Sequence, residues 1–129
     1  FEEYCRILTI LKPKMFLFEN VTGILSMNGG KLFAEIQECF KNIGYELKYK
    51  VLNAADYGVP EIRERVILVG TRCKNSFEYP MPTHGNSKEL KPYVTLEDAL
   101  SDLPSLKSGE ENSEYYSSPM NEFQKFVQF

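Results

Sequence analysis

Residues 15–21 read Met-Phe-Leu-Phe-Glu-Asn-Val, and this stretch decides the fold. Its four apolar residues predict a buried strand, and the polar residues that follow at once, Glu19 and Asn20, stand at the carboxyl end of that strand. In open α/β sheets, ligands bind at the carboxyl ends of the strands. The stretch therefore predicts an α/β protein with a candidate binding edge at Glu19.

A second run, residues 53–70, reads Asn-Ala-Ala-Asp-Tyr-Gly-Val-Pro-Glu-Ile-Arg-Glu-Arg-Val-Ile-Leu-Val-Gly. It begins as a turn-rich loop and ends in another apolar strand, predicted over residues 66–71. Arg63 and Arg65 stand at the mouth of that strand. A carboxylate and two guanidinium groups brought to one rim can hold a polar, planar ligand.

The rest of the chain divides into an ordered layer and a loop-rich segment. Helical spacing predicts helices over residues 1–12 and 31–43, a loop separates residues 20–30, and alternation predicts a half-exposed strand over residues 45–53. The last part of the chain is rich in proline and polar residues, with short helices predicted near its middle and end. These two predicted helices cover residues 96–103 and 117–129. The predicted boundary separates residues 1–73 from residues 74–129.

Composition limits the class of protein. A chain of 129 residues with 43% hydrophobic residues is long enough for one modest domain. No apolar run approaches the roughly 20 residues that span a bilayer, so a soluble cytoplasmic protein with no membrane partner is expected. Residues 1–72 carry ten Lys/Arg against nine Asp/Glu, and residues 73–129 carry five against nine. Without a basic stripe, binding to DNA would depend on a few placed groups or on help from parts that this sequence lacks.

The cysteines and the one histidine predict no special chemistry. Cys5, Cys39 and Cys73 show no paired spacing and are predicted to be reduced packing thiols. His84 has no cysteine or second histidine near it, so it is predicted to be a loop residue, and no metal site is expected.

The two runs together resemble those of DNA (cytosine-5)-methyltransferases of the bacterial restriction-modification type. Glu19-Asn20-Val21 matches the family's Glu-Asn-Val block. Residues 53–66 match its Asn-Ala-x-Asp-Tyr-Gly-Val-Pro-Gln-x-Arg-x-Arg-Val block, with Glu61 in the place of the usual Gln. Residues 118–123 resemble the start of the target-recognition region. The resemblance implies a partial Rossmann-like, S-adenosylmethionine-dependent methyltransferase fold, namely the C-terminal half of the catalytic sheet, followed by the start of a loop-rich target-recognition region.

The family's chemistry, as the resemblance implies it, gives roles to these residues. A cysteine thiolate adds to carbon 6 of a cytosine flipped out of double-stranded DNA, and carbon 5 then takes the methyl group of S-adenosylmethionine. Glu19 would provide a proton or hydrogen bond at ring nitrogen 3. Arg65 would contact the base carbonyl oxygen, and Arg63 the thiolate region or a nearby phosphate. Asn20 and Val21 would bind substrate by shaping the loop behind the base.

Each role has a plainer alternative. A glutamate at a strand end is, taken alone, more often salt-bridged or solvated than catalytic. Arg63 and Arg65 would, taken alone, more often be surface partners of Glu61 and Glu64.

The family's Pro-Cys nucleophile and its Phe-x-Gly-x-Gly cofactor loop do not occur in this sequence. Cofactor-binding residues therefore stay unknown, and a central fragment, inactive alone and self-associating through an exposed sheet edge, is expected. The alternatives are one polypeptide of a split methyltransferase and a degenerate DNA-binding relative without chemistry. Glu61, which stands where the family usually has Gln, is the only hint of a degenerate relative.

Overall fold

The computed structural model describes residues 1–73 and 77–128, which form a mixed α/β structure. Its helices and strands follow the chain as α1 (Glu2–Leu11), β1 (Met15–Val21), α2 (Lys31–Asn42), β2 (Glu46–Asn53), β3 (Glu64–Thr71), α3 (Leu96–Leu100) and α4 (Glu122–Val127). Two short 3₁₀ segments, Thr22–Leu25 and Met27–Gly30, fill the predicted loop between β1 and α2.

The three strands form one sheet in the order β1-β3-β2. The last strand in the chain lies between the other two and runs antiparallel to both. Consequently the carboxyl end of β1 meets the amino end of β3, where Val21 is paired with Arg65. The antiparallel pairing thus places the two sequence runs at the same rim of the sheet.

The two strands that carry the sequence runs, β1 and β3, are longer than predicted. β1 continues past the four apolar residues, so Glu19 and Asn20 lie within the strand rather than after it. β3 begins at Glu64 rather than at residue 66. The physical reason is strand pairing. Every residue of β1 from Met15 to Val21 has a partner on β3, and Glu64 of β3 is paired with Asn53 of β2.

By contrast, the two helices predicted near the end of the chain are shorter in the structure than predicted. α3 ends at Leu100, and α4 begins only at Glu122. α3 starts with a capping box, in which the Thr95 hydroxyl accepts from the Asp98 backbone N–H and the Asp98 carboxylate accepts from the Thr95 N–H. The Thr95 hydroxyl also donates to the Asp98 Oδ2 over 2.7 Å. This hydrogen bond, together with the one from the Thr95 N–H, holds the pKa of Asp98 below its usual value.

α1 and α2 cover one face of the sheet and enclose an aromatic core. Phe16 and Phe18 of β1 pack there against Phe40 of α2, which is fully buried. The rings of Phe16 and Phe40 meet edge to face with their centroids 4.8 Å apart, and Tyr45 approaches Phe16 at the same distance. Edge-to-face aromatic pairs add to the gain from burial alone.

The prediction that all cysteines are reduced is wrong for two of them. Cys5 of α1 and Cys39 of α2 form a disulfide, whereas Cys73 is free and exposed. The two helices pack side by side on the sheet, which brings together cysteines that are 34 positions apart. Sequence spacing does not reveal such a pairing.

The chain forms two compact units, Phe1–Asn53 with Glu64–Met81, and Ala54–Arg63 with the chain from Pro82 onward. The first unit holds the sheet, α1 and α2, and the second holds α3 and α4. Among the helices of the described ranges, none has both the length and the apolar character needed to cross a bilayer.

Candidate active site

The candidate site lies in the first unit, at the rim where β1 ends and β3 begins. Glu19 is paired with Ile67, and Arg65 is paired with Val21, so all four side chains stand on one face of the sheet. Arg65 Nε lies 3.0 Å from Glu19 Oε1. Strand pairing, rather than a loop, thus brings the carboxylate and the guanidinium group together.

The Arg65 side chain is held at two points. Its Nε contacts the Glu19 carboxylate, and its Nη1 donates to the Glu64 carbonyl oxygen over 2.8 Å. The Arg65 and Glu19 side chains are 24% and 46% exposed, and ion pairs with this access to water contribute at most about 1 kcal/mol to stability. The main effect of the pair is therefore to orient two polar groups at the rim.

An apolar recess of about 430 Å³ adjoins the end of β1. It is lined by Asn20, Val21, Gly23, Ile24, Met27 and Leu32. The Asn20 Oδ1 accepts a hydrogen bond from the Val21 N–H over 2.9 Å, which fixes the turn out of the strand. The volume is within the range of small-ligand pockets. Glu19 precedes the lining residue Asn20 in the chain, and Arg65 is paired with the lining residue Val21, but neither Glu19 nor Arg65 lines the recess.

Arg63 belongs to the second unit. Its backbone carbonyl accepts a hydrogen bond from the Ala54 N–H over 3.0 Å, and its Nη1 lies 3.5 Å from Glu61 Oε1. The plainer alternative of a pair with Glu61 is thus observed for Arg63. Of the predicted guanidinium pair, the structure brings Arg65 into contact with Glu19.

Sequence reasoning overlooked the contacts of the loop that precedes β3. In the sequence, Asp56 and Gly58 belong to the turn-rich loop that opens the second run, and His84 is predicted to be a loop residue. In the structure, the backbone N–H of His84 donates to the Asp56 carbonyl over 3.0 Å, and the His84 ring lies against Gly58. The signal present in the sequence is the glycine itself, because a side chain at this position would collide with the ring.

The lining of the recess at the end of β1 does not fit S-adenosylmethionine. Asn20 is the only polar side chain of the recess, whereas S-adenosylmethionine carries hydroxyl, amino and carboxylate groups that need polar partners. Within residues 1–73 and 77–128, no group of three or more His, Cys, Asp or Glu side chains is arranged to hold a metal ion.

The chain is similar to known proteins over nearly its full length. A family model described as C-5 cytosine-specific DNA methylase matches residues 1–128. The Type II methyltransferase M.BspRI of Lysinibacillus sphaericus is 51% identical over 102 residues, which is 78% of this chain and 24% of that protein. The Type II methyltransferase M.BsuRI of Bacillus subtilis is 45% identical over 102 residues, 78% of this chain and 23% of that protein.

The fold is also similar to that of a solved methyltransferase structure. A protein described as a prophage-encoded DNA modification methyltransferase (E. coli) superimposes with a TM-score of 0.60 and 32% sequence identity, covering 80% of this chain and 29% of that protein. The chain spans about a quarter of the length of the two curated relatives.

Proposed function

Because the chain belongs to the C-5 cytosine-specific DNA methylase family, we propose that it is the part of a bacterial cytosine-5 methyltransferase that supplies groups of the target-base pocket. The observation that carries this proposal is the ion pair of Glu19 and Arg65 at the rim of the sheet. The whole enzyme acts in the cytoplasm on a cytosine flipped out of double-stranded DNA. S-adenosylmethionine supplies the methyl group, and the family's glycine-containing cofactor loop does not occur in this sequence.

The pair suits one edge of cytosine. On that edge the carbonyl oxygen at carbon 2, ring nitrogen 3 and the amine at carbon 4 stand side by side. The carboxyl group of Glu19 donates a hydrogen bond to nitrogen 3 and accepts one from the amine. Arg65 donates to the carbonyl oxygen. Since the two side chains already touch, they can meet three neighbouring atoms of one planar base.

The same arrangement assists the reaction. When a thiolate elsewhere in the enzyme adds to carbon 6, negative charge develops on nitrogen 3 and the carbonyl oxygen. A Glu19 carboxyl group that has taken up a proton from solvent would give it to nitrogen 3, and the positive charge of Arg65 would face the carbonyl oxygen. Donors placed in advance lower the barrier. Arg63 contacts the thiolate region or a phosphate, and Asn20 with Val21 shapes the loop behind the base.

The remaining groups come from other parts of the enzyme. We place β1, β2 and β3 in the C-terminal half of a Rossmann-like catalytic sheet, and the residues from 118 onward at the start of target recognition. The chain covers 29% of the structural relative's length. Methyl transfer by the 129-residue chain alone is therefore not expected.

The product tests the proposed function. We expect the full-length protein, given duplex DNA and S-adenosylmethionine with a labelled methyl group, to form 5-methylcytosine. Mass spectrometry of the digested nucleosides identifies the methylated base. A label on the exocyclic amine of cytosine or adenine, or no label with any duplex sequence, would contradict the assignment.

We also propose that the isolated chain self-associates through β1. Met15, Leu17 and Val21 lie on the face opposite α1 and α2, with exposed fractions of 50%, 58% and 53%. In the described sheet β1 is an edge strand with β3 as its one neighbour, and an apolar edge promotes pairing between chains. Sedimentation at rising concentration is expected to show dimers or larger species, and Leu17→Lys is expected to reduce them. A wild-type monomer at high concentration would refute this.

A further inference from the structure

The loop that carries Arg63 is closed at its base. The Ala54 N–H donates to the Arg63 carbonyl over 3.0 Å, and the Val59 N–H donates to the Ala54 carbonyl over 3.3 Å. The first of these bonds joins the beginning of the loop to its end, and the second joins its beginning to its middle. The position of Arg63 thus depends on how firmly residues 54–63 are held.

A second segment of the same unit holds this loop through Asp56. The backbone N–H groups of Thr83 and His84 both donate to the Asp56 carbonyl, over 2.9 and 3.0 Å. The Tyr93 hydroxyl donates to the Asp56 Oδ1 over 3.2 Å, and this hydrogen bond raises the pKa of Tyr93 above its ordinary value. One aspartate therefore receives three donors from residues 83–93.

The His84 ring fills the space that the loop leaves free at Gly58. A Cβ built on Gly58 would lie 2.6 Å from the His84 Cε1, and Gly58 has φ of +87°, a conformation that favours glycine. The ring is itself fixed, because its Nδ1 lies 2.8 Å from the Thr83 Oγ1. Close packing against a backbone leaves little room for the loop to move.

Residues 83–93, the segment that holds the loop, are themselves joined by backbone hydrogen bonds. The Lys91 N–H donates to the Thr83 carbonyl over 3.0 Å, and the Gly85 N–H donates to the Lys91 carbonyl over 2.9 Å. The segment therefore returns on itself between His84 and Tyr93 and presents both side chains to the loop.

We propose that Asp56, His84 and Tyr93 form a clamp of positioning residues that fixes the loop of residues 54–63 and thereby the guanidinium group of Arg63. The proposal rests on the proposed function for its catalytic consequence. The clamp itself is a property of the fold, so it has a test that does not need activity.

Trypsin measures the clamp directly, because it cleaves after arginine and its rate reports how often the loop opens. In the full-length protein, Tyr93→Phe removes the hydroxyl that donates to Asp56 and keeps the aromatic ring. We expect cleavage after Arg63, followed by mass spectrometry, to become faster by about three- to tenfold, as for the loss of one ordinary hydrogen bond. Tyr116→Phe is the matched control, since Tyr116 is 80% exposed in the same unit. Equal cleavage rates for wild type and Tyr93→Phe would overturn the clamp.

The positioning role is tested by methyl transfer. We expect Tyr93→Phe to lower kcat with KM for DNA unchanged, because Arg63 is then held less firmly, and to have no further effect when Arg63 is already alanine. A faster cleavage with unchanged kcat, or additive losses in the double variant, would overturn the positioning role. A wild-type enzyme without cytosine methylation would refute the proposed function, while the trypsin result would still decide on the clamp.

Discussion

Glu19→Gln in the full-length enzyme is expected to lower the rate of methyl transfer by about 100-fold or more, as the loss of a placed acid usually does. Glutamine keeps the size of glutamate, and its carbonyl oxygen can still accept from Arg65. Its amide, however, cannot pass a proton to ring nitrogen 3. Single-turnover transfer to duplex DNA measures this step without the contribution of product release.

The loss should appear in the rate and not in the stability of the fold. Glu19 is 46% exposed and its ion pair with Arg65 is worth at most about 1 kcal/mol. We therefore expect the free energy of unfolding to change by less than that amount. This difference between activity and stability distinguishes a catalytic carboxyl group from a structural one.

Glu46→Gln is the matched control. Glu46 begins β2 and is paired with Thr71, at the end of the sheet opposite Glu19. The same chemical change there is expected to leave the rate unaltered. Wild-type transfer by Glu19→Gln would remove Glu19 from the mechanism, and equal losses in both variants would indicate a general effect on the sheet.

The elements around the site were largely predictable, and their arrangement was not. Apolar runs and periodicity located β1, α2 and β3, because burial imposes these patterns on a single segment. The order β1-β3-β2 depends on which strands pair, and that is a property of distant segments. The extension of β1 through Glu19 follows from the same pairing, since an isolated strand would be expected to end with its apolar residues.

The contacts that hold the second run could not be predicted from the sequence, because they too join distant segments. Asp56 and Tyr93 are 37 positions apart, and no periodic pattern connects them. Gly58 stands out in the sequence only as a turn former, yet the nearby His84 ring gives its lack of a side chain a second purpose. Gly70 is a third example, because inside an apolar strand it reads as an ordinary small residue.

Gly70→Ala is expected to destabilise the chain by about 3 kcal/mol, at the upper end for overpacked cores. Gly70 is paired with Phe16, and a Cβ built on it would lie 2.1 Å from the Phe16 Cε1. The ring cannot move aside easily, since Phe40 and Tyr45 approach it with centroid distances of 4.8 Å. Removing a strand glycine favours folding by at most about 1 kcal/mol, which is too little to offset the clash. Urea-induced unfolding of the chain measures the change.

Two further variants separate the clash from other effects of adding a methyl group. Gly23→Ala is the control, because a Cβ there has nothing within 4 Å and its φ is not positive; its stability is expected to stay within about 0.5 kcal/mol of wild type. Phe16→Leu removes the ring atoms that the new methyl group would meet. In that background Gly70→Ala should cost less than about 1 kcal/mol, and this non-additivity is the signature of direct contact. Additive losses would instead mean that Gly70 is needed for its backbone, independently of the aromatic core.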